Sequence, residues 1–235
     1  MTELSDAVQE RIEHAESVLA AFSMHALEVA PTLDSLLSTP DAPFDAAHLF
    51  ASLKEAIETH KERLIAADLE LTAEADDDKQ YRDARDAATD ALRSVLADVR
   101  SMFEAAYNSD ILLFYGLTEE APRSPELLLE HTERAATLME HKPLSQHSPY
   151  GFDLELGALA ARVRVEMAPL ATALEDIKRE LREIREALAK RNGAMEDFDE
   201  VCEGAALTAF GLFKMAGRPD LAELVRQTPR RRQSS

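Results

Sequence analysis

Two short motifs place a glutamate beside a histidine in the same setting: Glu13-His14-Ala15-Glu16 near the start and Glu130-His131-Thr132-Glu133 past the middle. Carboxylate and imidazole are the groups with which helical bundles hold metal ions, using glutamates and Glu-x-x-His motifs on facing helices. Two copies would offer two half-sites. Glu10 with His14, and His25 with Glu28, add the four- and three-residue spacings that share a helix face. The Glu-x-x-His spacing occurs at neither copy, however. Adjacent Glu13 and His14 stand roughly 100° apart around a helix and do not easily share an ion. With 45 acidic residues in the chain, glutamates beside any histidine are expected without a metal. No metal ligand, catalytic residue or cofactor-binding residue is assigned from the sequence.

Other chemistries have less support. The single cysteine, Cys202, excludes an internal disulfide and a cysteine-based zinc site, and it reads as a small buried apolar residue. No closely spaced glycines precede a helix, so there is no phosphate loop, and no nucleophile-elbow pattern occurs. Gly211 and Gly217 read as a helix end and a turn. Phe103, Tyr107, Phe114 and Tyr115, with Phe198, Phe210 and Phe213, offer rings for an aromatic-lined pocket, but their helical spacing suits an ordinary core equally well. His48, His60 and His147 are isolated and read as surface or boundary residues.

The elements that must position these groups are all helical. Ala, Leu, Glu and Arg dominate, with only seven glycines and no tryptophan. No β-branched run bounded by turns suggests a strand. Val8, Ile12, Ala15, Val18, Leu19 and Phe22 mark one buried face of a first helix from about Ser5 to Leu37, with a kink expected at Pro31. Pro40 and Pro43 end it, and a second helix starts near Asp45. The run Glu74-Ala75-Asp76-Asp77-Asp78 is expected to be a turn before a third helix over about 79–115, closed by Gly116. Asn108-Ser109-Asp110 is a candidate interruption of that helix. Ser124-Pro125 opens a fourth helix to about His141, and Lys142–Gly151 is the clearest linker. A helix from near Asp153 meets Pro169, which either kinks it or starts another. Leu174, Ile177, Leu181, Ile184 and Leu188 form an apolar repeat through a highly charged stretch. A short helix follows Pro219.

Composition bounds the partners. The formal net charge of −19 disfavours nucleic acid and anionic membrane surfaces, because both are bound through lysine and arginine. Mean hydropathy is −0.27. The longest apolar run, Ile111–Leu117, is far short of the roughly 20 residues of a membrane span. The polar, acidic start lacks the features of a signal peptide, so a cytoplasmic location is expected. Arg230, Arg231 and Arg232 form a basic tail over 229–235.

Three segments recur in order. The Glu-His motifs match, and Phe44-Asp45 and Phe152-Asp153 each follow a proline-rich loop. Phe103 to Leu117 aligns with Phe198 to Leu212, pairing Gly116 with Gly211. Together with Leu112-Leu113-Phe114-Tyr115-Gly116-Leu117 and the closing Leu221-Ala222-Glu223-Leu224-Val225-Arg226 segment, this pattern resembles a group of uncharacterised bacterial tandem helical-bundle proteins. That resemblance covers most of the chain and implies no activity. The expectation is therefore an all-α, antiparallel helical bundle array of two tandem related units, 1–120 and 121–228. The expected role is non-enzymatic: a binding or scaffold protein using an exposed helical face, with a protein partner or self-association and no cofactor. A carboxylate/histidine metal protein and a small-molecule carrier with an aromatic-lined pocket are the alternatives.

Overall fold

The computed structural model describes residues 4–117, 120–142, 144, 147–151 and 153–226. The basic tail at 229–235 and Phe152 lie outside the described residues. Among the described residues the only regular elements are six helices, α1 (Asp6–Leu37), α2 (Ala46–Ala106), α3 (Ser109–Phe114), α4 (Pro125–His141), α5 (Leu156–Met215) and α6 (Pro219–Val225). The protein is all-α, as the sequence implies.

The turn expected at Glu74–Asp78 is absent: α2 runs unbroken through it for 61 residues. The reason is local. The run contains neither glycine nor proline, and aspartate within a helix costs only about 0.7 kcal/mol or less relative to alanine. Asp78 and Arg82, four residues apart, also pair at 2.7 Å. Pro169 likewise neither ends nor divides α5, although it leaves the carbonyl four residues earlier without its helical donor. Pro31 lies within α1 in the same way.

The real stops carry specific chemistry. Asp45 caps the start of α2 by accepting the His48 N–H at 2.8 Å, and Asp34 of α1 accepts the Ala46 N–H at 2.8 Å. Asn108 breaks the third expected helix and caps α3, its side chain accepting from Ile111 N–H. Gly116 has φ +70° and closes α3, with Leu117 N–H bonded to Leu112 O and Gly116 N–H to Leu113 O. Gly217, at φ +75°, closes α5 with the same pair of bonds, Arg218 to Phe213 and Gly217 to Lys214. Gly211, which the sequence alignment paired with Gly116, is instead an interior residue of α5. The glycine that plays the part of Gly116 is therefore Gly217.

The chain forms two compact units, Met1–Ala73 with Ile184–Ser235, and Glu74–Glu183. They differ from the sequence segments 1–120 and 121–228. In the first unit α1, the beginning of α2, the end of α5 and α6 enclose a core around Phe22, Phe50, Leu64, Phe198 and Phe213. Phe50 meets Phe22 edge-on at 5.6 Å and stacks on Phe213 at 5.4 Å. In the second, the rest of α2, α3, α4 and the first part of α5 enclose Leu92, Phe103, Tyr115, Leu128, Met139 and Leu170. Within each unit the α2 and α5 segments run antiparallel. Phe50 meets Phe213 and Glu70 meets Lys190 in one; Asp98 meets Arg162 and Glu74 meets Glu180 in the other.

One buried charge ties the first unit together. Asp68 of α2 is 1% exposed and accepts both the backbone N–H and the hydroxyl of Ser5, each at 2.7 Å, at the entry to α1. Arg191 of α5 approaches the same carboxylate at 3.9 Å. Replacing Asp68 with Ala is expected to lower unfolding stability by about 1–3 kcal/mol, since it leaves the two Ser5 donors without their acceptor and Arg191 without its nearby opposite charge. Urea denaturation of the variant beside the parent protein checks this.

Candidate metal centre

Along α5 the buried stripe follows the apolar repeat only in part. The sequence repeat points Leu181 and Leu188 inward, yet each is 40% exposed. Leu170, Ala173, Leu174 and Glu180 are buried instead. Glu180 therefore sits, 2% exposed, at a position where the three-or-four spacing calls for an apolar side chain. Glu183, one turn on, shares its side of the helix, and Glu74 of α2 faces both.

These three glutamates each bring a carboxylate oxygen within 4.8 Å of the other two. Among the described residues they are the one group of three or more acidic, histidine or cysteine side chains so close together. Glu180 is buried, Glu74 half-buried and Glu183 exposed, so the cluster opens to solvent on one side. Its surroundings are strongly acidic. Burial first, then the charges of Glu183, Glu74, Asp77 and Asp78, push the Glu180 carboxyl above its ordinary value. Nearby positive charge is engaged elsewhere in part: Arg82 pairs with Asp78, and Arg179 pairs with Asp176 at 2.9 Å and reaches Glu183 only at 4.0 Å. Oε1 of Glu180 is fully buried and has no hydrogen-bond partner. A buried acceptor of this kind costs about 1–3 kcal/mol unless something satisfies it.

Three carboxylates and no nitrogen or sulfur ligand form a donor set for a hard cation, not for zinc or copper. Calcium binds oxygen at roughly 2.3–2.6 Å, so oxygens on opposite sides of one ion stand about 4.6–5.2 Å apart. The three oxygens all lie within 4.8 Å of one another, inside that limit. Magnesium binds at about 2.0–2.1 Å, which draws its ligands closer together than calcium does.

The motifs that drew attention in the sequence lie elsewhere. Glu13 and His14 are exposed on α1, and Glu16 faces Lys61 at 3.9 Å. Glu130 is exposed and His131 half-buried on α4. Glu133 is taken by Arg164 of α5, which grips it at 2.8 Å and Glu140 at 2.7 Å. The first motif belongs to one unit and the second to the other. The seven aromatic residues divide in the same way. Phe103 lies 5.3 Å from Tyr115 and 6.1 Å from Tyr107 in one core, while Phe198 and Phe213 lie in the other. Tyr107 accepts the Leu154 N–H and Tyr115 donates to the Lys142 carbonyl, which fixes both rings as core supports of the linker. Cys202 is buried as expected, and burial, with Asp199 nearby, pushes its thiol up to about 12, which leaves it unreactive near neutrality.

Glu74, Glu180 and Glu183 were not singled out in the sequence. Their signal was there, in two glutamates three apart on one helix, but the adjacent Leu181 dominates the apolar pattern and hides which side is buried. No protein-family model, curated protein or solved structure matches the chain.

A carboxyl raised in the fold opposes folding once the pH exceeds its unfolded value, because ionisation is then easier in the unfolded chain. In chelator at neutral pH, Glu180→Gln removes that charge and offers an amide that can donate to Glu74 or Glu183. The variant is expected to melt about 2–4 °C higher than the parent, the shift for roughly 1 kcal/mol in a chain of this size. Differential scanning calorimetry in EDTA checks it.

Proposed function

We propose that the protein is a divalent-cation-binding helical protein of the cytoplasm, with a hard cation such as calcium held by Glu74, Glu180 and Glu183. The observation that carries the reading is the buried, unpartnered Oε1 of Glu180 within a cluster of carboxylates. An ion there satisfies that oxygen, neutralises mutual repulsion, and bridges α2 to α5 inside the second unit. Three protein carboxylates leave further coordination positions to water. The role is thus a structural or regulatory one, in which cation level sets how firmly the two helix segments are joined.

Calcium at tenfold its dissociation constant is expected to stabilise the protein by about 1.4 kcal/mol, from the mass-action relation for a single site. In a chain of this length that is a rise in melting temperature of about 3–6 °C. The response should vanish in Glu180→Gln. A parent protein indifferent to calcium, or a variant that responds as fully as the parent, contradicts the reading.

A second reading, a helical interaction protein that self-associates or binds a partner, is favoured by Met24 and Leu27. They lie three residues apart on α1 and are 65% and 77% exposed. Sedimentation equilibrium checks this: Leu27→Glu should shift a concentration-dependent dimer toward monomer, and a parent that is monomeric at all concentrations counts against self-association.

A further inference from the structure

The second unit also contains a cleft of opposite sign to the chain. It has a volume of about 470 Å³ and is lined by Arg93, Arg100, Arg123 and His131, with Leu96 and Leu117 beneath them. Among the described residues that line it, Glu120 is the one acidic side chain. In a protein of net charge −19, three guanidiniums beside the two described carboxylates of Glu120 and Glu104 leave a local excess of positive charge.

The cleft is built, not incidental. Arg93 of α2 reaches across to the segment before α4, where its Nη2 donates to the carbonyls of Pro122 at 3.1 Å and Arg123 at 2.6 Å. Those two bonds fix the wall that carries Arg123 and leave the Nε and Nη1 hydrogens of Arg93 without a described partner. Arg100, two turns along α2, is held by Glu104 at 2.7 Å through its Nε, which leaves its terminal nitrogens without a partner among the described residues. Arg123 has no side-chain hydrogen bond or ion pair with a described residue. The imidazole of His131 packs beside Gly116, where an added Cβ would stand 3.8 Å from Cε1. The His131 ring, held beside Gly116, contributes to the wall of the cleft. Leu96 and Leu117 are buried and supply an apolar floor.

We propose that this cleft binds an organic anion of small-molecule size, its carboxylate or phosphate held by Arg123 and Arg100 and its hydrocarbon part laid against Leu96 and Leu117. Guanidinium is suited to that headgroup because its parallel N–H bonds match the two oxygens of a carboxylate or phosphate. The volume lies in the range of small-molecule sites, and the lining combines charged groups with the apolar Leu96, Ala97, Leu117 and Ala121. The inference does not depend on the cation site, which uses other residues.

The test is isothermal titration calorimetry of the full chain with three probes: octanoate, hexyl phosphate and neutral octanol. At least one anion should bind saturably with one site per chain, and octanol should not. Whichever anion binds more tightly identifies the headgroup. Arg123→Ala, which removes no bond within the fold, should weaken that binding at least tenfold. Arg226→Ala, at a solvated arginine outside the cleft, should leave it unchanged. Failure of both anions to saturate overturns the proposal, as does equal binding of octanol, or an Arg123→Ala protein that binds like the parent.

Discussion

A helix of some 60 residues has an apolar stripe far longer than one small core can cover, and this chain contains two such helices. Each must find packing partners along its whole length or expose that stripe to water. The solution is shared use. The beginning of α2 and the end of α5 are closed over by α1 and α6, while the rest of α2 and the start of α5 are closed over by α3 and α4. Four helical segments per core is the usual arrangement of a bundle, and here two helices supply half of the segments to both. Everything else follows from this economy of elements: short capped helices at α3 and α6, left-handed glycines at Gly116 and Gly217 to turn the chain sharply, and a linker between α4 and α5 fixed by Tyr107 and Tyr115.

Along such helices a charged residue on the buried stripe is expensive, and the two that occur among the described residues behave differently. Asp68 is fully engaged, with Ser5 donating to it twice and Arg191 nearby. It functions as a cap for α1 supplied by a different helix. Glu180 has no equivalent. It faces two other glutamates, and the nearest arginine that reaches the group lies 4.0 Å from Glu183. Polar groups buried in native structures are nearly always satisfied, and one surrounded by like charge is the exception that calls for a missing positive partner. A cation is the simplest such partner, since all three side chains offer oxygen and nothing softer.

Much of the fold was legible in the sequence because its signals are local. The prolines at 40 and 43, the Ser124-Pro125 entry and Asn108 each act within one turn of chain, and the structure places helix ends beside all of them. The turn expected at 74–78 does not form because acidity alone does not break a helix, and only glycine or proline interrupts one at substantial cost. The assignment of units was not legible, because it depends on which halves of α2 and α5 meet in space. The carboxylate cluster was missed for a related reason. Glu180 and Leu181 are neighbours, and periodicity alone favours the leucine as the inward residue. Only the packing of α2 against α5 decides that the glutamate is buried, and brings Glu74, more than a hundred residues away in sequence, beside it. By contrast the Glu-His motifs, conspicuous in sequence, are solvated or paired with lysine and arginine.

The most direct test of the cation site is a count. Calcium titrated into chelator-stripped full-length protein, followed by calorimetry, should give one saturable site per chain. The same titration of the Glu180→Gln protein should give none. Weak heats that never saturate, equal in the two proteins, would mean that the acidic surface attracts calcium diffusely and that Glu180 is buried without a metal.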